Sequence, residues 1–180
     1  IGMFGYTRTT ITLFVSYNYL DSGLATALHY IYPALVCIFS FILYKENITK
    51  EKIFSLVLSI IGVYSLIAFE SKTLNILGIL LALFSGLAYA LNVISLSFKS
   101  IKSIDNRVVT MYICFGASLG MIIYGAFTES LTFTINLEMM ISYLGLSIIS
   151  TIASMLFLLK AIKLIGSTSA SILATFEAVV

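Results

Sequence analysis

The chain has 180 residues, of which 60% are hydrophobic and 10% charged, with 10 Lys and Arg against 8 Asp and Glu and a mean hydropathy of +1.09. Globular domains carry about 25% charged residues, so a soluble domain is excluded and the bilayer is the solvent. A net charge of +2, scattered over short loops, excludes a nucleic-acid footprint.

A helix needs about 20 apolar residues to cross roughly 30 Å of hydrocarbon. Seven runs meet or approach that length and predict spans at residues 1–20, 24–44, 53–69, 76–98, 108–127, 139–162 and 168–180. Backbone in lipid must satisfy its own hydrogen bonds, so the expected fold is an all-α multi-helix transmembrane bundle. The connections Asp21–Gly23, Lys45–Lys52, Glu70–Asn75, Lys99–Arg107, Thr128–Glu138 and Lys163–Ser167 are too short to hold a soluble domain. The first run has neither a basic start nor a small-residue cleavage site, so it reads as part of the fold rather than a signal peptide. Residue 1 is Ile, and both ends lie in apolar runs; the chain is expected to be a fragment of a longer one. Cys37 and Cys114 sit far apart inside apolar runs and read as small buried apolar residues, not a disulfide framework.

Lys and Arg are retained on the cytoplasmic side of short loops, whereas Asp and Glu weigh little. Assigning alternate loops to alternate faces puts Lys45, Lys50, Lys52, Lys99, Lys102, Arg107, Lys160 and Lys163 on one face and only Lys72 on the other. The first face is therefore predicted to be cytoplasmic, with Asp21, Glu70, Glu129 and Glu138 outside. The sequon Asn47-Ile48-Thr49 falls in a predicted cytoplasmic loop, where it carries no glycan.

An offset of 145 residues lays Ser22 through His29 on Ser167 through Ala174, matching Ser22 with Ser167, Ala25 with Ala170 and Leu28 with Leu173. The two segments run in opposite directions across the membrane and are five spans apart, so the expected repeat is an inverted unit of five helices, as in many transporters.

The stretch Ser16-Tyr17-Asn18-Tyr19-Leu20-Asp21-Ser22-Gly23-Leu24-Ala25-Thr26-Ala27-Leu28-His29-Tyr30-Ile31-Tyr32-Pro33, followed by Tyr44-Lys45-Glu46 and Gly62-Val63, resembles the drug/metabolite transporter superfamily, EamA type. Gly78 through Tyr89 resembles the start of the second repeat of that family, and Ala161 through Glu177 its fourth helix. The resemblance implies a ten-helix inverted-repeat carrier in a bacterial plasma membrane, with both termini cytoplasmic. Residues 1–72 would supply the last three helices of the first repeat and residues 73–180 the first four of the second. Two helices before Ile1 and one after Val180 would be missing. The departure is Glu177-Ala178, where the family commonly has Glu-Pro.

Ionisable groups inside a membrane are costly and usually face a cavity or a partner. Arg8, His29 and Glu177 qualify. Arg8 either offers its guanidinium fork to a substrate carboxylate or phosphate, or snorkels or pairs internally. His29 either couples protons or contacts substrate, or is a structural histidine bonded to a neighbour. Pro33 removes a helical hydrogen bond and frees a carbonyl near mid-membrane, for cargo or for packing alone. Glu177 accepts a proton, binds a cationic group or pairs with Arg8. Asn92, with Tyr89, Thr151 and Ser154, either lines the pathway or bonds a neighbouring helix. The small residues Gly78, Ala82, Gly86 and Ala90, and Gly116 with Gly120, read as close-packing surfaces. Tyr17, Tyr19, Tyr44 and Tyr143 read as interfacial anchors.

No cofactor or metal site is expected, since a lone His has no ligand cluster and no nucleotide-binding motif is present. The leading expectation is a secondary carrier of small metabolites, exporting amino acids or related solutes by alternating access, with a coupling ion and homodimerisation left open. A non-transporting seven-helix receptor and an intramembrane enzyme are the alternatives. The enzyme would need paired catalytic groups that the sequence does not display.

Overall fold

A computed structural model describes residues 2–46, 49–68, 75–129 and 136–175. Among them there is helix and turn but no strand. Helix α1 (Thr7–Ser16) continues a π-helical turn at Gly2–Tyr6, and α2 (Ser22–His29) is followed almost directly by α3 (Tyr32–Tyr44). Then come α4 (Lys50–Ala68), α5 (Ile76–Leu96), a one-turn α6 (Lys99–Lys102) and α7 (Asn106–Phe127). The last run joins α8 (Leu137–Gly145), a π-helical stretch at Leu146–Ala153 and α9 (Ser154–Ala174).

Helix covers most of the described part of each predicted span, with turns at Tyr17–Leu20 and at Tyr30–Ile31. The stretches Ser22–Tyr44, Ile76–Leu96, Asn106–Phe127 and Leu137–Ala174 are long and apolar enough to cross a membrane. The chain folds as an all-α membrane bundle. Side chains in the short loops start the helices: Asp21 accepts from the Gly23 N–H at 3.0 Å, Asn75 from Leu77 at 2.9 Å, Asp105 from Arg107 at 2.7 Å and Asn136 from Glu138 at 3.3 Å. Each satisfies one of the amides that a helix N-terminus leaves unbonded.

Three local features differ from the sequence reading. The break in the second span lies at Tyr30 and Ile31, and Pro33 stands in the first turn of α3, where its missing N–H is tolerated. The predicted loop Lys163–Ser167 shrinks to Gly166, whose backbone (φ 83°, ψ 166°) is the only non-helical point inside α9. The predicted loop Lys99–Arg107 contains α6.

Helix α5 is the spine. Its small residues meet the first half of the chain: a Cβ on Gly78 would stand 2.7 Å from Leu20, and one on Gly86 would stand 2.8 Å from the His29 carbonyl oxygen. Ala82 and Ala90 are fully buried between them. On α7, Gly116 faces the Gly2–Met3 backbone and Gly120 faces Thr7. This close approach is what small residues provide where lipid gives helices no hydrophobic reason to associate. The larger core gathers Tyr32 and Val36 of α3, Val93 and Leu96 of α5, Ile113 of α7 and Leu159 and Ile162 of α9. Large apolar side chains outside it, such as Phe54, Tyr64, Phe115, Ile149 and Phe157, are exposed and form the lipid-facing belt.

The three connections assigned to the basic face meet at one end of the bundle. The Tyr44 hydroxyl donates to the Ile94 carbonyl at 3.1 Å, the Lys163 ammonium donates to the Ile104 carbonyl at 2.7 Å, and Thr168 Oγ1 donates to Glu46 at 2.9 Å. The contact of Gly78 with Tyr19 and Leu20 marks the opposite end. Asn47, Glu70, Lys72 and the boundary at residues 72–73 lie outside the described residues.

Candidate functional site

Where α2 gives way to α3, the bundle holds a cavity of about 290 Å³. Tyr6, Thr9, Thr10 and Leu13 line it from the first helix, at spacings that put them on one helical face. Thr26, His29 and Tyr30 enter from α2 and its end, Tyr32 from α3, Tyr89 from α5, and Ser150 and Ser154 from the π-helical stretch and its junction with α9. A π-turn places one extra residue in the helical circuit, a distortion often found at functional sites. The described lining carries hydroxyls, aromatic rings and one imidazole, and no Lys, Arg, Asp or Glu.

His29 is the best-defined member. Its Nδ1 lies 2.8 Å from Ser85 Oγ, and Ser85 Oγ in turn donates to the Ala82 carbonyl at 2.7 Å. With its own proton committed, Ser85 can only accept from the imidazole. That assigns the proton of neutral His29 to Nδ1 and leaves Nε2 as an acceptor. The ring lies 5.6 Å from Tyr32 and 5.5 Å from Tyr89, and those two tyrosines meet edge to face at 4.6 Å. Such aromatic pairs hold each other's orientation, so the imidazole is set on a rigid floor. Ser85 is also the serine nearest a histidine-dependent chemistry. It is 0% exposed and its proton is spent on a carbonyl, which is the reverse of an activated nucleophile.

Pro33 is fully buried and does not line the cavity, but it shapes the wall. Its nitrogen has no proton to give the carbonyl four residues earlier, that of His29. The His29 carbonyl instead faces Gly86.

The other residues singled out from sequence lie elsewhere. Arg8 is exposed on the side of α1 away from the cavity, with its guanidinium 4.4 Å from the centre of the Phe84 ring. Asn92 is buried against Gly5, and neither its amide nitrogen nor its oxygen has a hydrogen-bond partner among the described residues. Glu177 lies outside the described residues. Of the polar set Tyr89, Asn92, Thr151 and Ser154, the structure brings Tyr89 and Ser154 to the cavity. The residues sequence reasoning missed are chiefly the face Tyr6, Thr9, Thr10 and Leu13. Their i, i+3, i+4, i+7 spacing was the available signal. Among the described residues no three His, Cys, Asp or Glu gather as a metal site.

A second polar cluster sits at the basic end. Glu46 accepts from the Lys52 ammonium at 2.8 Å through one oxygen and from Thr168 Oγ1 at 2.9 Å through the other. Ser40 Oγ and Ser167 Oγ are 2.9 Å apart and buried. Together these tie α3 and its following loop to the part of α9 beyond Gly166.

Residues 1–68, which contain α1 to α4, match the EamA-like transporter family. The chain is also 29% identical over 126 residues to a Bacillus subtilis (strain 168) protein named uncharacterized transporter YvbV, an alignment that covers 67% of this chain and 41% of that relative. The first 68 residues are thus similar to the EamA-like transporter family, and 67% of the chain to a protein named a transporter. The chain spans less than half the length of the YvbV protein. No solved structure matches it. Two features stand out in it: an uncharged cavity at a helix break, and a carboxylate tie between α3 and α9.

Proposed function

We propose that the chain is part of a secondary carrier that moves small metabolites across a bacterial plasma membrane by alternating access between two inverted five-helix units. The observation that carries the reading is the cavity at the Tyr30–Ile31 break, polar within a bundle whose outer surface is apolar. Ligand sites at discontinuous helices are the recurrent solution in carriers, because only a cavity tolerates unpaired backbone in lipid. The inverted repeat is supported by matching boundaries. Asp21 and Gly166 are both non-helical, helix follows over residues 22–29 and 167–174, and Tyr30 and Thr175 end it, each pair separated by the same 145 positions.

The lining favours a cargo without net charge, neutral or zwitterionic, with a donor for His29 Nε2 and an apolar or aromatic part for Tyr32 and Tyr89. Amino acids and related solutes fall in that class, and export follows from the family resemblance. His29 is the proposed contact residue, and Pro33 acts through the break it maintains. The test is flux of a labelled solute panel into vesicles holding the full-length protein. A solute whose flux needs His29, with His29→Ala correctly folded but inactive, supports the reading. Uniform inactivity toward all solutes, or unchanged flux in His29→Ala, sinks it.

A further inference from the structure

Between α7 and α9, at the basic end of the bundle, lies a cleft of about 490 Å³. Its lining carries Arg107 at the start of α7 and Lys160 and Lys163 of α9, beside the apolar Leu156 and Phe157. The lining also carries Asp105, which accepts from the Arg107 backbone N–H at 2.7 Å and offsets one of the three positive charges. Lys163 donates one proton to the Ile104 carbonyl at 2.7 Å, which holds it at the mouth with two protons to spare. No described carboxylate pairs with Arg107, Lys160 or Lys163. All three are exposed, and so is Phe157, at 72%. Lys160 stands six residues before Gly166, hence about 9 Å inside the helix end at 1.5 Å per residue. The cleft thus joins a net positive charge at headgroup depth to an apolar wall facing hydrocarbon.

We propose that this cleft seats one anionic phospholipid, its phosphate between Arg107, Lys160 and Lys163 and an acyl chain along Leu156 and Phe157. The charge is complementary to a phosphodiester, and basic pockets between transmembrane helices are suited to acidic headgroups. The apolar wall, continuous with the lipid-facing surface, favours a lipid over a free phosphate, which would leave Phe157 without a partner. The site is independent of the cargo cavity and of the transport reading.

Native mass spectrometry of the full chain in detergent, titrated with phosphatidylglycerol or phosphatidylcholine of the same acyl chains, tests it. The wild type is expected to retain one phosphatidylglycerol about tenfold more tightly than phosphatidylcholine. Arg107→Gln/Lys160→Gln/Lys163→Gln is expected to bind both lipids alike, with helical circular dichroism unchanged. Should that triple variant fail to fold, Lys160→Gln alone is expected to lower the preference about fivefold. Lys45→Gln/Lys50→Gln, which removes two charges at the same end but outside the cleft, is expected to keep the preference. Equal retention of both lipids by the wild type overturns the proposal. So does loss of preference in Lys45→Gln/Lys50→Gln, or displacement of the lipid by millimolar inorganic phosphate.

Discussion

Gly86→Ala is the sharpest test of how the cavity is held. The added methyl would stand 2.8 Å from the His29 carbonyl oxygen and 3.4 Å from Ile31 Cγ2. Carbon-to-carbonyl contacts settle at about 3.3 to 3.6 Å, so the α2–α3 junction must retreat from α5 by about half an ångström or more. The oxygen belongs to backbone, and both sides of the contact are buried, so no side chain can swing away. Overpacking of this kind costs about 1–3 kcal/mol. Gly62 provides the reference, because a Cβ there meets nothing within 4 Å on an exposed face of α4. Ala at such a site gains up to about 1 kcal/mol of helix propensity. In thermal unfolding of the purified protein, Gly62→Ala is expected to hold or raise the midpoint and Gly86→Ala to lower it by roughly 2–8 °C. His29 rides on the displaced junction, so cargo affinity falls as well. Equal midpoints for the two variants would refute the packing argument, and an unchanged affinity would detach His29 from the site.

Gly166→Ala forces a β-carbon onto a φ of 83° that L-residues avoid; a loss of about 1–3 kcal/mol is expected in chemical denaturation, against little change for Gly145→Ala, where a Cβ meets nothing within 4 Å. Asn92→Leu removes two buried polar atoms that lack partners and is expected to keep or raise the unfolding midpoint, since unpaired buried groups cost about 1–3 kcal/mol each; cargo affinity should not change, and its loss would show that Asn92 reaches the pathway. Arg8→Gln gives up a ring contact worth about 0.5–1 kcal/mol on a face outside the cavity; cargo affinity is expected to stay within about twofold, and a tenfold loss measured by equilibrium binding would put Arg8 back in the pathway.

The spans were legible because lipid imposes one rule, helix length, on every segment, and polar Asp21, Asn75, Asp105 and Asn136 interrupt the apolar runs where the helices start. His29 was legible for the same reason, an ionisable group in apolar surroundings. Its partner Ser85 lies 56 residues away and looks like any other small residue on α5, so only the fold could supply it. Pro33 announced a break but not its position. The chain tightens at Tyr30 and Ile31, ahead of the proline, because the clash of a proline ring falls on the preceding turn. Gly166 lay in the predicted connection Lys163–Ser167; what the sequence did not show is that one glycine with φ 83° is enough to make it. The cavity face of α1 was present as a spacing of Tyr6, Thr9, Thr10 and Leu13. In a membrane helix the usual polar stripe means a buried face as readily as a wet one, so the spacing alone did not declare a cavity.

The helix starts at Asp21 and Gly166, which the proposed repeat pairs, are built differently, and the difference places a latch at the basic end. Asp21 caps its own helix, accepting from the Gly23 N–H at 3.0 Å. Gly166 has no side chain, and the carboxylate there is Glu46, from a loop 122 residues away from its partner Thr168. Parting α3 from the end of α9 therefore breaks the Glu46–Thr168 bond and the buried Ser40–Ser167 contact at 2.9 Å. Glu46 is 27% exposed, so water competes for its bond with Thr168 and that bond's share of global stability is about 1 kcal/mol. The same energy counts in full when only this end opens, and about 1 kcal/mol is roughly a fivefold change in the open fraction. In a Cys37→Ala/Cys114→Ala background, Ser167→Cys is 3% exposed at its native position and is expected to react slowly with a water-soluble maleimide. Adding Glu46→Ala should speed that reaction about fivefold while leaving the unfolding midpoint nearly unchanged. An equal drop in midpoint and rise in labelling would make Glu46 a general stabiliser, and an unchanged labelling rate would mean that the carboxylate holds nothing shut.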